Sequence, residues 1–197
     1  MLLPNHSSHI LEAGVDEVGR GCLAGPVVAA AVVLPPDYQH PLLNDSKKLS
    51  QKTRELLRED IVRDAVAWAI GEASPEEIDQ INILQATYLA MHRAIEKLQP
   101  QPTYLLVDGN RFKPYLALPY SCMVKGDGRY LSIAAASVIA KTYRDELMCG
   151  LAEQYKQYGW EQNAGYPTKY HRAGIAAHGI TPYHRLSFAL LPKQTAL

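Results

Sequence analysis

The sequence contains little cysteine: three residues in 197, and no two of them form the C-x-x-C pair of many metal and redox sites. An odd number of cysteines without a repeated spacing argues against a disulfide-stapled secreted scaffold and favours a reducing compartment. The start lacks a basic segment followed by a long apolar stretch, so we expect no signal peptide. The longest strongly apolar run, residues 27–34, is far shorter than the about 20 residues that cross a bilayer. We therefore expect a cytoplasmic protein without a membrane segment.

The chain also lacks a net charge, because 20 Lys and Arg balance 20 Asp and Glu. The balance hides an asymmetry: residues 1–110 carry nine basic and fifteen acidic side chains, and residues 111–197 carry eleven and five. An acidic half that holds metal ions and a basic half that binds a polyanion would show this pattern, and so would two solvated faces of opposite sign. We expect one domain over residues 1–197, with an ordered core from about 10 to 190 and a helical segment from about 160.

What the sequence does contain is a glycine-rich stretch around two adjacent acids, Gly14-Val15-Asp16-Glu17-Val18-Gly19-Arg20-Gly21-Cys22-Leu23-Ala24-Gly25-Pro26. Paired carboxylates at a strand end suit Mg²⁺ or Mn²⁺, which prefer oxygen ligands. Adjacent residues of a regular strand point to opposite faces, so we expect the strand to end or bulge at the pair if both acids are to reach one ion. The competing interpretation is a polar turn between two buried strands.

Apolar periodicity and turn residues predict an α/β chain. Strands are predicted over residues 10–16, 27–34, 65–73, 103–107 and 121–124. Helices are predicted from the cap Ser50 to about residue 63, from the capping box at Ser74 with a second start at Asn82, from the cap Ser132 to about residue 158, and over residues 170–178. In the first helix we expect Leu56, Leu57 and Ile61 to face the core. The alanines of the third strand are expected to lie close beneath another element.

Three of the predicted strands or strand-like segments end in acids, at Asp16-Glu17, Asp108 and Asp127. In α/β sheets the strand ends collect catalytic groups from distant parts of the sequence. Converging carboxylates repel one another unless cations balance them. A pair of divalent ions would do so, and such pairs serve in-line phosphodiester cleavage. The leading physical hypothesis is therefore a metal-dependent nuclease.

The motifs around these acids resemble the type 2 ribonucleases H, specifically the bacterial ribonuclease HII family. The resemblance begins in the stretch from Gly14 to Pro26. It continues in chain order, to about residue 190, through Asp45-Ser46-Lys47-Lys48-Leu49, Val107-Asp108-Gly109-Asn110, Lys125-Gly126-Asp127, Ile133-Ala134-Ala135-Ala136-Ser137-Val138-Ile139-Ala140-Lys141, Arg144-Asp145 and Gly165-Tyr166-Pro167-Thr168. The set is highly specific, although no single motif would be.

The resemblance implies a ribonuclease H-like fold, with a five-stranded mixed sheet, flanking helices and a small C-terminal helical segment. It also implies an endonuclease that cleaves the RNA strand of RNA–DNA hybrids and single ribonucleotides embedded in duplex DNA. The implied chemistry is two-metal hydrolysis with Mg²⁺ or Mn²⁺, which leaves 5′-phosphate and 3′-hydroxyl ends. We expect the protein to act as a monomer.

The same resemblance places the family's catalytic and metal-binding acids on Asp16, Glu17, Asp108 and Asp127. Its substrate-reading Gly-Arg-Gly falls on Gly19, Arg20 and Gly21, and its junction tyrosine falls on Tyr166. Candidates for phosphate contact are Lys47, Lys48, Lys141 and Arg144. Three histidines have no ligand spacing and are expected at the surface or against phosphate: His171, His178 and His184.

Other interpretations of these residues are open. Tyr166 could be a turn aromatic that covers a helix end, and Lys141 could be a solvated helix residue. A binding module on the same fold would not need the complete set of acids. A resolvase- or integrase-type phosphoryl transferase would not need to read the 2′-hydroxyl that distinguishes RNA from DNA, so the Gly-Arg-Gly and Gly-Tyr-Pro motifs favour the ribonuclease.

Overall fold

The structure, a computed structural model, describes residues 2–9 and 11–192. Its strands are β1 (Glu12–Val18), β2 (Val27–Val33), β3 (Ala67–Ala73), β4 (Tyr104–Asp108) and β5 (Tyr120–Met123). Its α-helices are α1 (Gln51–Asp64), α2 (Pro75–Glu96), α3 (Leu131–Gln154), α4 (Trp160–Asn163) and α5 (Lys169–His178). Short 3₁₀ helices lie at Ser46–Lys48, Gly126–Gly128 and Lys156–Tyr158.

The strands form one mixed sheet in the order β3-β2-β1-β4-β5, with β1 in the centre. β1 runs antiparallel to β2, and β2 antiparallel to β3, whereas β1, β4 and β5 are parallel. Val15 of β1 lies opposite Val107 of β4, so the next residues, Asp16 and Asp108, lie at the same level of the sheet. The predicted five-stranded mixed sheet with flanking helices is confirmed. Its topology brings the carboxyl ends of three parallel strands to one edge.

Small residues allow helices to pack closely on both faces of the sheet. A Cβ atom added to Gly14 of β1 would lie 2.1 Å from the backbone of Ser132, at the start of α3. On the other face, a Cβ atom added to Gly71 of β3 would lie 2.1 Å from the carbonyl oxygen of Ala90 in α2. The alanines of β3 are buried on this second face, as predicted. β2, whose sequence is all valine and alanine, is buried along its whole length because helices cover both of its faces.

Local capping explains where several helices begin. The Ser50 side chain accepts from the Thr53 amide at the start of α1, and Ser74 and Glu77 form the predicted capping box at the start of α2. The second start at Asn82 is confirmed, because its backbone leaves the helical region at φ 66° and its side chain accepts from two following amides. These interactions span only two or three residues, so they are visible in the sequence.

Other local predictions are wrong. Leu56 is 50% exposed, although Leu57 and Ile61 face the core as expected. Ser132 does not cap α3, which already begins at Leu131 after a residue without a side-chain cap. The start of α3 is instead set by long-range pairing, since the Leu131 amide donates to the Leu3 carbonyl.

The C-terminal helical segment packs against the loop that joins β1 to β2. Leu23 and Ala24 of that loop form an apolar cluster with Met148 of α3, Trp160 of α4 and Ile175 of α5. The small C-terminal helical segment implied by the sequence is therefore present and closes over this loop. Across residues 2–9 and 11–192, the structure contains no helix that combines the length and the apolar character required to cross a membrane.

The contact between β3 and α2 predicts a large effect of one methyl group. We expect Gly71→Ala to lower the free energy of unfolding by about 3 kcal/mol, because backbone atoms that cannot move independently occupy the space of the new Cβ. Gly150→Ala in α3 is the matched control, since nothing lies within 4 Å of an added Cβ there. Alanine should stabilise that helix by up to about 1 kcal/mol. Denaturant unfolding of both variants measures the difference, and equal stabilities would contradict the close packing.

Candidate active site

The adjacent acids Asp16 and Glu17 lie inside β1, and the strand continues past them. They pair in regular register with Ala30 and Ala29 of β2, and the ladder extends to Val18. The prediction that the strand ends or bulges at the pair is therefore wrong. The two side chains consequently project to opposite faces of the sheet at its edge. A ligand that contacts both carboxylates must therefore lie at the ends of the strands, where it can be reached from both faces of the sheet.

The environments of the two acids agree with this placement. Asp16 is only 4% exposed, its Oδ1 accepts from the Glu17 amide at 2.8 Å, and Ser137 of α3 lies near enough to its carboxyl group to act against the raised pKa. Glu17 lines a cavity on the other face together with Tyr88 and Met91 of α2. The Arg20 guanidinium donates to Glu17 Oε1 at 3.1 Å.

Asp108 and Asp127 approach from the neighbouring strands. Asp108 ends β4, and its Oδ1 accepts from the Gly126 amide at 2.7 Å. Asp127 lies on the 3₁₀ turn after β5 and is 4% exposed. Lys47, from the 3₁₀ turn Ser46–Lys48, places its Nζ 3.2 Å from Asp127 Oδ2. The fold thus brings all four predicted acids to one edge of the sheet.

The electrostatics of the cluster favour a bound cation. Burial, and then the neighbouring charges of Glu17 and Asp108, hold the pKa of Asp16 well above its usual value. Burial also raises the pKa of Glu17, despite its contact with Arg20, and it raises the pKa of Asp108. Each raised pKa means that the carboxylate form is costly there in the absence of added positive charge. A divalent cation would remove that cost.

The donor set fits a hard divalent cation, although the side chains are not gathered around one point. Within the described parts of the chain, no group of three or more His, Cys, Asp or Glu side chains is arranged to hold a metal ion. Asp16 accepts from the Glu17 amide, Asp108 accepts from the Gly126 amide and Asp127 contacts Lys47. All four acids nevertheless offer the carboxylate oxygens that Mg²⁺ and Mn²⁺ prefer.

The Gly-Arg-Gly segment forms an open loop directly after these acids. Gly19 has φ +88°, and a Cβ added there would lie 2.2 Å from Arg144 Nε. Gly21 has no left-handed backbone, and no atom of the described residues lies within 4 Å of an added Cβ there, so the structure itself does not require glycine at this position. Arg20 is about half exposed beside Glu17, where it can reach a ligand.

The prediction that Arg144 contacts phosphate is wrong. The residue is fully buried, and its guanidinium donates to three carbonyls: Pro26 at 3.0 Å, Ala164 at 2.7 Å and Ala24 at 2.9 Å. Every nitrogen of the guanidinium is thus engaged with backbone that a phosphate would have to replace. Arg144 joins the loop after β1 to the C-terminal segment.

Arg185 likewise binds backbone carbonyls of the loop after β1, a role that nothing in the sequence indicated. It is also fully buried, and it donates to the Gly25 carbonyl at 2.8 and 3.0 Å and to the Arg20 carbonyl at 3.0 Å. Its own amide donates to the Leu23 carbonyl. A buried arginine has no local sequence signal, because it is defined by partners from another part of the chain.

Tyr166 lies beside the Gly-Arg-Gly loop, as its predicted role requires. The preceding Gly165 has φ +81°, and a Cβ there would lie 2.5 Å from the Ala24 carbonyl oxygen. The Gly165 carbonyl accepts from the Leu23 amide at 2.8 Å, which fixes the turn against the loop. Tyr166 is 40% exposed, and burial of its hydroxyl raises the pKa of the phenol. The backbone at Tyr166 is therefore held against the loop, while part of its side chain is accessible to solvent.

The other two predicted phosphate-binding lysines, Lys48 and Lys141, differ in how accessible their ammonium groups are. Lys141 is partly buried and donates to Asp145 at 2.5 Å, one helical turn later, so its ammonium is already engaged. Lys48 is exposed and lies 3.9 Å from Asp45. Of the two, Lys48 is the more accessible to a phosphate.

The predicted surface position of His171 and His184 is wrong, whereas His178 is exposed. His171 is fully buried, with its Nε2 3.0 Å from the donating Trp160 indole and 3.2 Å from His184 Nε2. Its Nδ1 lies 3.0 Å from the Tyr166 carbonyl. His184 Nδ1 accepts from the Thr181 amide. With both rings neutral, every polar atom has a partner, and the cluster supports the backbone of Tyr166.

Comparison with known proteins agrees with the fold and the motifs. A family model described as Ribonuclease HII matches residues 13–191. The chain is 62% identical over 191 residues to a Ribonuclease HII of Bacteroides fragilis, covering 97% of this chain and 95% of that protein. It is 61% identical to a Ribonuclease HII of Parabacteroides distasonis, covering 100% of this chain and 99% of that protein. The crystal structure of the ribonuclease H2 from Pyrococcus horikoshii superimposes with a TM-score of 0.76 at 25% identity, over 91% of this chain and 94% of that chain.

The buried histidines predict a specific pH dependence of stability. Burial, and then the neighbouring His171, lower the pKa of His184 to about 4. The unfolded chain binds this proton below about pH 6.5, so the contribution of neutral His184 is complete above that pH and is lost as the pH falls toward 4. We expect the stability difference between wild type and His184→Asn to shrink by about 2 kcal/mol between pH 7.5 and pH 5.

Denaturant unfolding at both pH values measures this difference. His178→Asn is the control, because His178 is exposed on the last turn of α5. At pH 7.5 this substitution should lower the free energy of unfolding much less than His184→Asn does, because it removes no buried hydrogen bond. A constant difference for His184→Asn would mean that His184 does not titrate on unfolding.

Proposed function

This chain belongs to the ribonuclease HII family and is an endoribonuclease that acts on RNA in RNA–DNA hybrids; beyond this we propose that it also cleaves duplex DNA at single embedded ribonucleotides. We propose hydrolysis with two divalent ions that leaves 5′-phosphate and 3′-hydroxyl ends. The observation that carries the proposal is that the loop after β1, which begins with Gly-Arg-Gly beside the acid pair, is bound to the Tyr166 turn through the Leu23 amide and the Gly165 carbonyl. Groups that could recognise a ribose thus lie next to groups that could hold metal ions.

In this proposal the four acids hold the metal ions. Asp16 and Glu17 offer carboxylates from the two faces of the sheet edge, and Asp108 and Asp127 do so from the adjacent strand ends. When bound, two Mg²⁺ or Mn²⁺ ions supply an activated water and stabilise the leaving 3′-oxygen. The raised pKa values of Asp16, Glu17 and Asp108 support this assignment, because burial, with a smaller contribution from the neighbouring acids, makes their ionised forms costly until a cation is added.

The Gly-Arg-Gly loop and Tyr166 are proposed to recognise the ribonucleotide. The 2′-hydroxyl can both donate and accept a hydrogen bond, and it is the group that distinguishes RNA from DNA. Around Gly21 no side chain fills the space that a sugar would need. The exposed face of the Tyr166 ring can stack on the sugar or base, while its hydroxyl lies toward the loop.

The exposed cations around this edge are proposed to bind the backbone of the duplex. Arg20, Lys47 and Lys48 are the exposed members of the predicted set. Such contacts position a duplex without reading its sequence. Arg144 is removed from this group because it is buried, and Lys141 is a weaker member because Asp145 engages it. The monomeric state and the cytoplasmic location stay predictions.

The test uses a DNA duplex with one ribonucleotide, an otherwise identical DNA duplex, and an RNA–DNA hybrid, each with Mg²⁺, Mn²⁺ or EDTA. We expect cleavage of the first and third substrates, dependent on metal, and none of the second. The downstream fragment should be joined by a DNA ligase, which requires its 5′-phosphate, and the upstream fragment should be extended by a polymerase from its 3′-hydroxyl. A terminal 2′,3′-cyclic phosphate would contradict metal-assisted hydrolysis by water.

The acids predict a loss of activity without a loss of fold. Asp108→Asn should lower the cleavage rate by about a thousandfold or more, since it removes a charged ligand while it keeps the size of the side chain. Asp37→Asn, at an exposed position outside the site, is the matched control and should leave the rate unchanged. Single-turnover rates, with circular dichroism to verify folding, measure both. Near wild-type turnover by the Asp108 variant would show that Asp108 is not a catalytic or metal-binding residue.

Tyr166 predicts a difference between recognition and overall affinity. Tyr166→Ala should weaken transition-state binding at a single ribonucleotide by about 1–3 kcal/mol, with a much smaller change in affinity for plain duplex DNA. Tyr166→Phe should keep the stacking and lose the hydroxyl contact, so it should fall between wild type and alanine. Tyr170→Ala, at an exposed tyrosine of α5, is the control. Equal losses in cleavage and in plain duplex binding would mean that Tyr166 does not recognise the ribonucleotide and serves only to cover the turn.

A further inference from the structure

The 3₁₀ turn Ser46–Lys48 is fixed to the site from two sides. Asp45 caps the turn by accepting from the Lys47 amide at 2.9 Å. The buried Ser46 hydroxyl lies 2.8 Å from the hydroxyl of Ser137, a residue of α3 that lies beside Asp16. The backbone of Lys47 is therefore held at a set distance from the acids. Only its side chain is free to change direction.

The Lys47 side chain currently serves as a counter-cation for the acid cluster. Its Nζ lies 3.2 Å from Asp127 Oδ2, and Asp127 is almost completely buried whereas the side chain of Lys47 is 75% exposed. Partial burial acts against the charge, but the hydrogen bond to Asp127 and the fields of Asp127 and Asp16 raise the pKa of Lys47. An ammonium on an exposed, flexible stem can leave such a contact at small cost.

We propose that the Lys47 ammonium and a divalent cation bind Asp127 in competition, so that the arriving cation displaces Lys47 and frees it for a substrate phosphate. The inference rests on the metal site of the proposed function. Among the four acids in the described part of the chain, Asp127 is the one whose carboxylate contacts a lysine. The ammonium and a metal ion at the same carboxylate oxygen would repel each other. Released Lys47 remains anchored beside the site through Ser46 and stays within reach of the bound duplex.

The consequence is a coupling between metal and substrate. A cation at Asp127 makes Lys47 available, and a phosphate that takes Lys47 makes Asp127 available. Linkage requires the two effects to be equal in size. Metal and nucleic acid would thus each strengthen the binding of the other. The metal ion displaces Lys47 from Asp127, and the phosphate draws Lys47 away from Asp127.

The first measurement is Mn²⁺ binding to the free protein, by titration calorimetry and by the electron paramagnetic resonance signal of unbound Mn²⁺. We expect Lys47→Ala to bind Mn²⁺ about threefold to tenfold more tightly than wild type, because it lacks the competing ammonium. Lys48→Ala is the matched control: it removes the same charge one residue later, from a side chain whose nearest carboxylate is Asp45 at 3.9 Å. Its affinity should change much less. Thermal unfolding verifies that each variant is folded.

The second measurement is affinity for plain duplex DNA with and without Mn²⁺, a substrate without a ribose to cleave. Mn²⁺ should strengthen duplex binding by wild type more than by Lys47→Ala, by the same factor as in the first measurement. Equal Mn²⁺ affinities for the Lys47 and Lys48 variants, or weaker Mn²⁺ binding by Lys47→Ala, would overturn the competition and leave the proposed cleavage intact. Failure of wild type to bind Mn²⁺ would overturn both.

Discussion

Two buried guanidinium groups hold the functional edge of this protein together. Arg144 and Arg185 are both fully buried, and between them they donate to carbonyls of the loop after β1 and of the Tyr166 turn. A buried charge is tolerated only when its donors are satisfied, so each guanidinium imposes one conformation on the carbonyls around it. The conformation of the loop depends on these contacts as well as on Gly19, whose φ of +88° and close approach to Arg144 favour glycine.

The same edge carries the opposite charge a short distance away. The parallel arrangement of β1, β4 and β5 brings four acids together, and close packing of α3 on Gly14 buries part of them. Burial and mutual repulsion raise the pKa of several of these carboxyls. The structure offsets part of that cost with exposed cations, Arg20 on Glu17 and Lys47 on Asp127, rather than with buried ones. An exposed side chain leaves its partner at smaller cost than a buried arginine whose donors are all engaged with backbone carbonyls.

Support for Tyr166 reaches far into the C-terminal segment. Its carbonyl contacts the neutral ring of His171, which is packed against Trp160 and His184. Tyr158 stacks on Trp160 at a centroid distance of 5.1 Å, so the cluster combines aromatic packing with hydrogen bonds to its polar atoms. The backbone of the partly exposed Tyr166 is therefore supported by buried, hydrogen-bonded side chains.

The sequence by itself determined the features that depend on near neighbours. The order of strands and helices, the caps at Ser50 and Ser74 and the second start at Asn82 follow from interactions within a few residues. The acids and the glycine-rich loop were recognisable because their motifs are contiguous. The tertiary structure alone decided the roles of Arg144, Arg185 and the two buried histidines, and the continuation of β1 past Asp16. Arg144 meets Pro26 across 118 residues and Arg185 meets Gly25 across 160, so whether such a charge contacts solvent, phosphate or backbone depends on groups that only the folded chain brings together.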